Sequence, residues 1–111
     1  MKVDHSNVVI DIFPDGKYWH QGLEQCLRYK LAKLNKPMHI SLNISIDGLP
    51  LYERSRIEFW SILANIYEMP ELKVMTIGIY SGSGKPKDID CYLRKFVDEL
   101  KFLLHDGLVI N

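Results

Sequence analysis

Residues 40–47 set the tightest limit on what this chain can fold into. Ile40, Leu42, Ile44 and Ile46 alternate with Ser41, Asn43, Ser45 and Asp47. Successive side chains of a strand point to opposite faces, so this period of two describes a half-buried β-strand with one apolar and one polar face. A sheet holding such a strand is packed on one side, and Gly48-Leu49-Pro50 supplies a closing turn signal.

The flanking segments supply the other layers. Val8-Val9-Ile10-Asp11-Ile12-Phe13 reads as a strand or an extended arm, and Pro14-Asp15-Gly16 after it as a turn. Over residues 17–34, Leu23, Cys26, Leu27, Leu31 and Leu34 follow the three-and-four spacing of an amphipathic helix, which Asn35-Lys36-Pro37 ends. Residues 59–67 fit a strand through Trp60, Ile62, Ala64 and Ile66 and a helix through Phe59, Leu63, Ile66 and Tyr67; periodicity leaves both open. Residues 73–80, with Val74, Thr76, Ile77 and Ile79, read as a strand. Asp88 is placed to cap a long helix whose stripe is Ile89, Leu93, Phe96, Val97, Leu100, Leu103 and Leu104, with Gly107 at its end. Leu108-Val109-Ile110 then begins another strand. The sum is an α+β chain with helices covering one sheet face.

A length of 111 residues with 47% apolar and 25% charged residues fits one domain, and no internal repeat is visible. Lys plus Arg and Asp plus Glu both number 14, giving zero formal net charge. Affinity for a phosphate backbone comes mainly from accumulated Lys and Arg, so this balance disfavours autonomous nucleic-acid binding. Zero net charge also removes self-repulsion and favours association. No apolar run approaches the roughly 20 residues of a membrane span, and no secretory signal is visible, so the chain is expected inside the cell. There Cys26 and Cys91 are expected as reduced thiols in or near the core, and the Asn43-Ile44-Ser45 sequon has no bearing.

Few residues carry a chemical signal. Asp47, followed by Gly48, is placed to meet a divalent cation, yet such sites need several converging carboxylates, and an Asp at a strand end commonly turns the chain. Gly82-Ser83-Gly84-Lys85 lacks the P-loop spacing and runs into Pro86, so it reads as a connection. His5, His20, His39 and His105 show no metal-ligand spacing, and no Gly-x-Ser-x-Gly nucleophile is present. Tyr18-Trp19-His20, Tyr29, Phe59, Trp60 and Tyr67 serve either a core or a docking surface, and aromatics of a small domain mostly serve the core.

Taken in order, Gly16-Lys17-Tyr18-Trp19-His20-Gln21-Gly22-Leu23, Ser45-Ile46-Asp47-Gly48-Leu49-Pro50-Leu51, Phe59-Trp60-Ser61-Ile62-Leu63, Ile77-Gly78-Ile79-Tyr80-Ser81-Gly82, Lys85-Pro86 and Phe96-Val97-Asp98-Glu99-Leu100 resemble a segment of the transposase-derived proteins of animals related to CACTA-type DDE transposases. The resemblance spans about residues 16–107. It implies the front half of a ribonuclease-H-like fold: an antiparallel three-strand meander, a helix, and a fourth strand parallel to and beside the first. It favours the strand reading of residues 59–67. It makes residues 1–15 an N-terminal arm and residues 16–111 one truncated domain. It puts Asp47 at the first acidic position of the catalytic triad, at the end of the first strand, with the other two acids outside this chain. Asp98 and Glu99 do not match triad positions.

Two functions are then expected. In the first, this is a domesticated or truncated domain without autonomous catalysis and without a cofactor. It associates with itself or with a partner protein, Trp19, Tyr52 and Trp60 forming the docking surface and Asp47 a vestige. In the second, it is part of a Mg²⁺-dependent transposase or nuclease with Asp47 as first metal ligand. The resemblance implies a nuclear location; direct DNA binding is disfavoured by the charge balance.

Overall fold

Five strands and two helices succeed one another as β1 (Ile10–Phe13), β2 (Gly16–His20), α1 (Leu23–Lys30), β3 (Leu42–Pro50), β4 (Glu58–Ile66), β5 (Met75–Gly82) and α2 (Ile89–Asp106) in a computed structural model that describes residues 9–34, 36–50 and 56–109. The strands form one sheet in the order β1-β2-β5-β4-β3, and every neighbouring pair is antiparallel.

The β3-β4-β5 meander is the arrangement expected from the alternating segment and its two successors. β3 pairs with β4 in unbroken register from Leu42↔Ile66 to Pro50↔Glu58. It therefore runs past Gly48, where the sequence suggests a turn, because an antiparallel ladder carries a proline at a strand end where no bond needs its missing N–H. The ambiguous segment forms β4: Ile62, Ala64 and Ile66 are buried along one face with period two.

Between β4 and β5 the register shifts, Ile62 pairing with Gly78 and Leu63 with Thr76, so that Ile77 is the extra residue of a bulge. Ile77 is fully buried, and its carbonyl accepts the backbone N–H groups of Gln21 (2.8 Å) and Gly22 (3.0 Å). The bulge thus holds the chain at the point where it leaves β2 and enters α1.

Both helices lie on one face of the sheet. There Tyr18, Tyr80 and Tyr92 pack edge to face, Tyr92 standing 5.8 Å from each of the other two ring centroids. Leu23, Ile62, Ile77 and Phe96 complete the interior around them. Gly78 makes room for this cluster, since the Tyr18 hydroxyl occupies the place where a Cβ at position 78 would stand.

Four expectations need correction. Residues 16–20 form a strand, not the start of the first helix. Tyr18 and its neighbours favour β structure, and Gly22, at φ 101°, separates them from α1. The apolar stripe starts only at Leu23, and Leu34 lies beyond the helix end. No fourth parallel strand occurs among the described residues: Leu108 packs on the core from a non-regular segment, and Ile110 lies outside them. Residues 10–13 instead extend the sheet as an antiparallel edge strand. Cys26 is buried as expected, but Cys91 is exposed on the first turn of α2, where the true inward positions are Tyr92 and Phe96.

Candidate functional site

β3 forms one edge of the sheet, and the helices reach β5 without covering it. Ile44 and Ile46 therefore remain 41% and 46% exposed although they belong to the helix-bearing face. Beside them opens a groove of about 1100 Å³, lined by Leu27 of α1 and Leu31 just past its end, Leu100 and Leu103 of α2, and Ile40 and Leu42. An apolar groove next to an unpaired strand offers two recognition elements at once, backbone hydrogen-bonding groups and side-chain pockets.

The residues singled out in the sequence do not converge. Asp47 is exposed on the opposite, helix-free face of β3, three residues before the strand ends, with Ser61 directly across from it. It is not at a strand terminus. Mg²⁺ demands near-octahedral oxygen ligation, and no group of three or more His, Cys, Asp or Glu side chains arranged to hold a metal occurs among the described residues. One carboxylate on a flat sheet face does not fit that ion. Trp19 lies on the same helix-free face, between Ile10 of β1 and Ile79 of β5. Trp60 faces the other way, its indole over Gly48, its Nε1–H donating to Glu58 (3.0 Å) and the Lys85 ammonium 5.8 Å from its ring centroid. Trp19 and Trp60 thus do not share a surface, and Tyr52 lies outside the described residues.

The most connected polar cluster is one that the sequence reading leaves out. The Tyr18 hydroxyl is 2.8 Å from His20 Nδ1, and His20 Nε2 is 2.8 Å from Glu99 Oε1. The same carboxylate accepts the backbone N–H groups of Leu23 (2.8 Å) and Glu24 (3.2 Å), so Glu99 of α2 caps the N-terminus of α1. Burial pushes the Glu99 carboxyl up, but donation from His20, Leu23 and Glu24 outweighs it and holds the group below the usual glutamate range. Because a carboxylate only accepts, the proton shared with Glu99 sits on His20 Nε2, and Nδ1 is the ring nitrogen that pairs with the Tyr18 hydroxyl. Burial, followed by the charges around it, raises the Tyr18 hydroxyl far above the usual tyrosine value. Tyr18 is almost wholly enclosed, while His20 and Glu99 keep some exposure, and the linked bonds tie β2, α1 and α2 together. One signal was available. Glu99 follows Phe96 by three residues and precedes Leu103 by four, which places a charge on the inward side of α2.

The chain matches no protein-family model, no curated protein and no solved structure. No helix among the described residues is long and apolar enough to cross a membrane.

Proposed function

We propose that this is a transposase-derived domain that binds protein and does not cut DNA. The observation that carries the reading is the edge of β3, unpaired among the described residues, beside an apolar groove walled by both helices. Extended segments dock on such edges through main-chain hydrogen bonds, while the groove selects their side chains. The meander of β3, β4 and β5 followed by α2 agrees with the front half of a ribonuclease-H-like domain, and descent from a nuclear enzyme would put the protein in the nucleus. The specific fold relation rests on the sequence resemblance, since the described strands include no parallel pair.

Magnesium titration followed by NMR, together with a plasmid-nicking assay, tests the non-catalytic part. The expected result is no response of the Asp47 amide at millimolar Mg²⁺ and no nicking. Nicking that Asp47→Asn abolishes, with Mg²⁺-dependent shifts at Asp47 and Ser61, would overturn the proposal in favour of a metal-dependent nuclease.

A further inference from the structure

The bonding pattern of β3 determines which of its groups are available. Tyr67 N–H donates to the Ser41 carbonyl at 2.8 Å, and the register then runs unbroken through Leu42↔Ile66. In an antiparallel ladder, bonded and non-bonded pairs alternate. Asn43, Ser45, Asp47 and Leu49 therefore bond to β4, while Leu42, Ile44, Ile46 and Gly48 turn their N–H and C=O groups outward. Within β3 itself the usual blunting devices are missing: the strand contains no Lys, no bulge and no charge on its helix-side face, and its one proline comes last.

Resting on the reading of this domain as a protein-binding module, we infer that the partner is a second copy of the chain, joined β3 to β3 about a two-fold axis perpendicular to the sheet. One antiparallel register uses all four outward residues of each strand. It pairs Leu42 with the partner's Gly48 and Ile44 with the partner's Ile46. Ser45 then meets the partner's Ser45 on the axis, as a two-fold interface requires. The only charge on β3, Asp47, falls opposite the partner's Asn43, whose amide is a hydrogen-bond donor, and no like charges meet. Directly opposed residues share a face, so both helix layers lie on one side. The two apolar grooves become one, with the half-exposed Ile44 and Ile46 inside it. The partner's Leu42 reaches the Trp60 indole, which overlies the side-chain-free Gly48. Zero net charge, 14 cationic against 14 acidic residues, leaves no long-range repulsion to oppose the pairing.

The test is register-specific cross-linking in a Cys91→Ser background, which removes the exposed thiol; Cys26 is buried. Opposed residues of a non-hydrogen-bonded pair have Cβ atoms within disulfide range, so Ser45→Cys should form a reducible covalent dimer at least about tenfold faster than Asn43→Cys. The two Asn43 positions sit four residues apart along the strands, roughly 13 Å, and should not link. An equimolar mixture of Asn43→Cys and Asp47→Cys chains should link again. Ile46→Pro loses an outward N–H without touching the β4 ladder, so it should leave the NMR spectrum of a folded domain and give a monomer in sedimentation. Ser45→Cys linking no faster than Asn43→Cys overturns the inference. If sedimentation still shows a dimer, association runs through another surface and the binding-module reading stands; a monomer at millimolar concentration removes the second copy as partner. The Mg²⁺ and nicking assays judge that broader reading separately.

Discussion

Glu99, in the middle of α2, lies 2.8 Å from His20 on β2, and the same carboxylate closes the first turn of α1 through Leu23 and Glu24. One side chain thus satisfies donors from a strand and a helix that are more than 70 residues away in sequence. Gly22 approaches it closely, since a Cβ there would stand 3.3 Å from Glu99 Oε2.

Because the native carboxyl of Glu99 is held below its unfolded value, it binds its proton more weakly when folded. Its stabilisation is therefore complete above the unfolded value of about 4.3 and is lost as pH falls through the lower native value. Urea melts from pH 7 to pH 3 should show this loss, and Glu99→Gln should flatten it. Glu99→Ala, which leaves the α1 cap unmet, should cost about 1–3 kcal/mol at pH 7.

Gly78→Ala should destabilise by roughly 1–3 kcal/mol, the usual cost of overpacking a close-packed interior. The Tyr18 hydroxyl cannot retreat without giving up His20. Restoration of much of the loss by Tyr18→Phe in the Gly78→Ala chain, measured by thermal melting, would show that the collision is with this hydroxyl.

Phe96→Ala should cost about 3–5 kcal/mol as a large-to-small change in a buried site. Tyr92→Phe is subtler. It leaves the packing and removes only the hydroxyl that donates to the Trp60 carbonyl at 3.0 Å, so a loss of about 1–2 kcal/mol is expected in chemical denaturation. An unchanged midpoint would mean that this bond adds nothing to the docking of α2.

The two thiols should separate cleanly in a disulfide-reagent assay. Cys91 is exposed, though its hydrogen bond to Asp88 raises its pKa, so it should react at neutral pH more slowly than a free peptide thiol. Cys26, raised chiefly by burial, should react only on unfolding. Two fast thiols in the native protein would contradict the packing of α1.

Legibility in the sequence followed the range of the interaction. The alternation of residues 40–46, the Asp88 cap and the run of α2 into Gly107 are local patterns; the cap and the helix end appear where the residues place them, and the strand does so displaced, from Leu42 to Pro50. Ile89 and Leu104, both in the apolar stripe read from α2, are largely exposed, whereas Tyr92 is buried. A stripe can be drawn through either set at three-and-four spacing, and tertiary contacts select the face: the Tyr92 ring against Tyr18 and Tyr80 and its hydroxyl bond to β4. The strand at residues 16–20 escaped because five residues with a local β preference are too short a signal beside the longer helical spacing, and pairing with β5, as in Tyr18↔Tyr80 and Trp19↔Ile79, is what fixes it. In the candidate site, the apolar face of β3 was readable, but not that the helices stop short of it; that depends on where α1 and α2 dock on β5.

The chain has two indoles, and the sheet separates them: Trp19 lies on the bare face between Ile10 and Ile79, and Trp60 spreads across Gly48 of the edge strand. The molecule consequently carries its own optical probe. In a Trp19→Phe chain all tryptophan emission would come from a ring lying on β3, and its colour and quenching would register whatever is laid along that strand, with no dye attached.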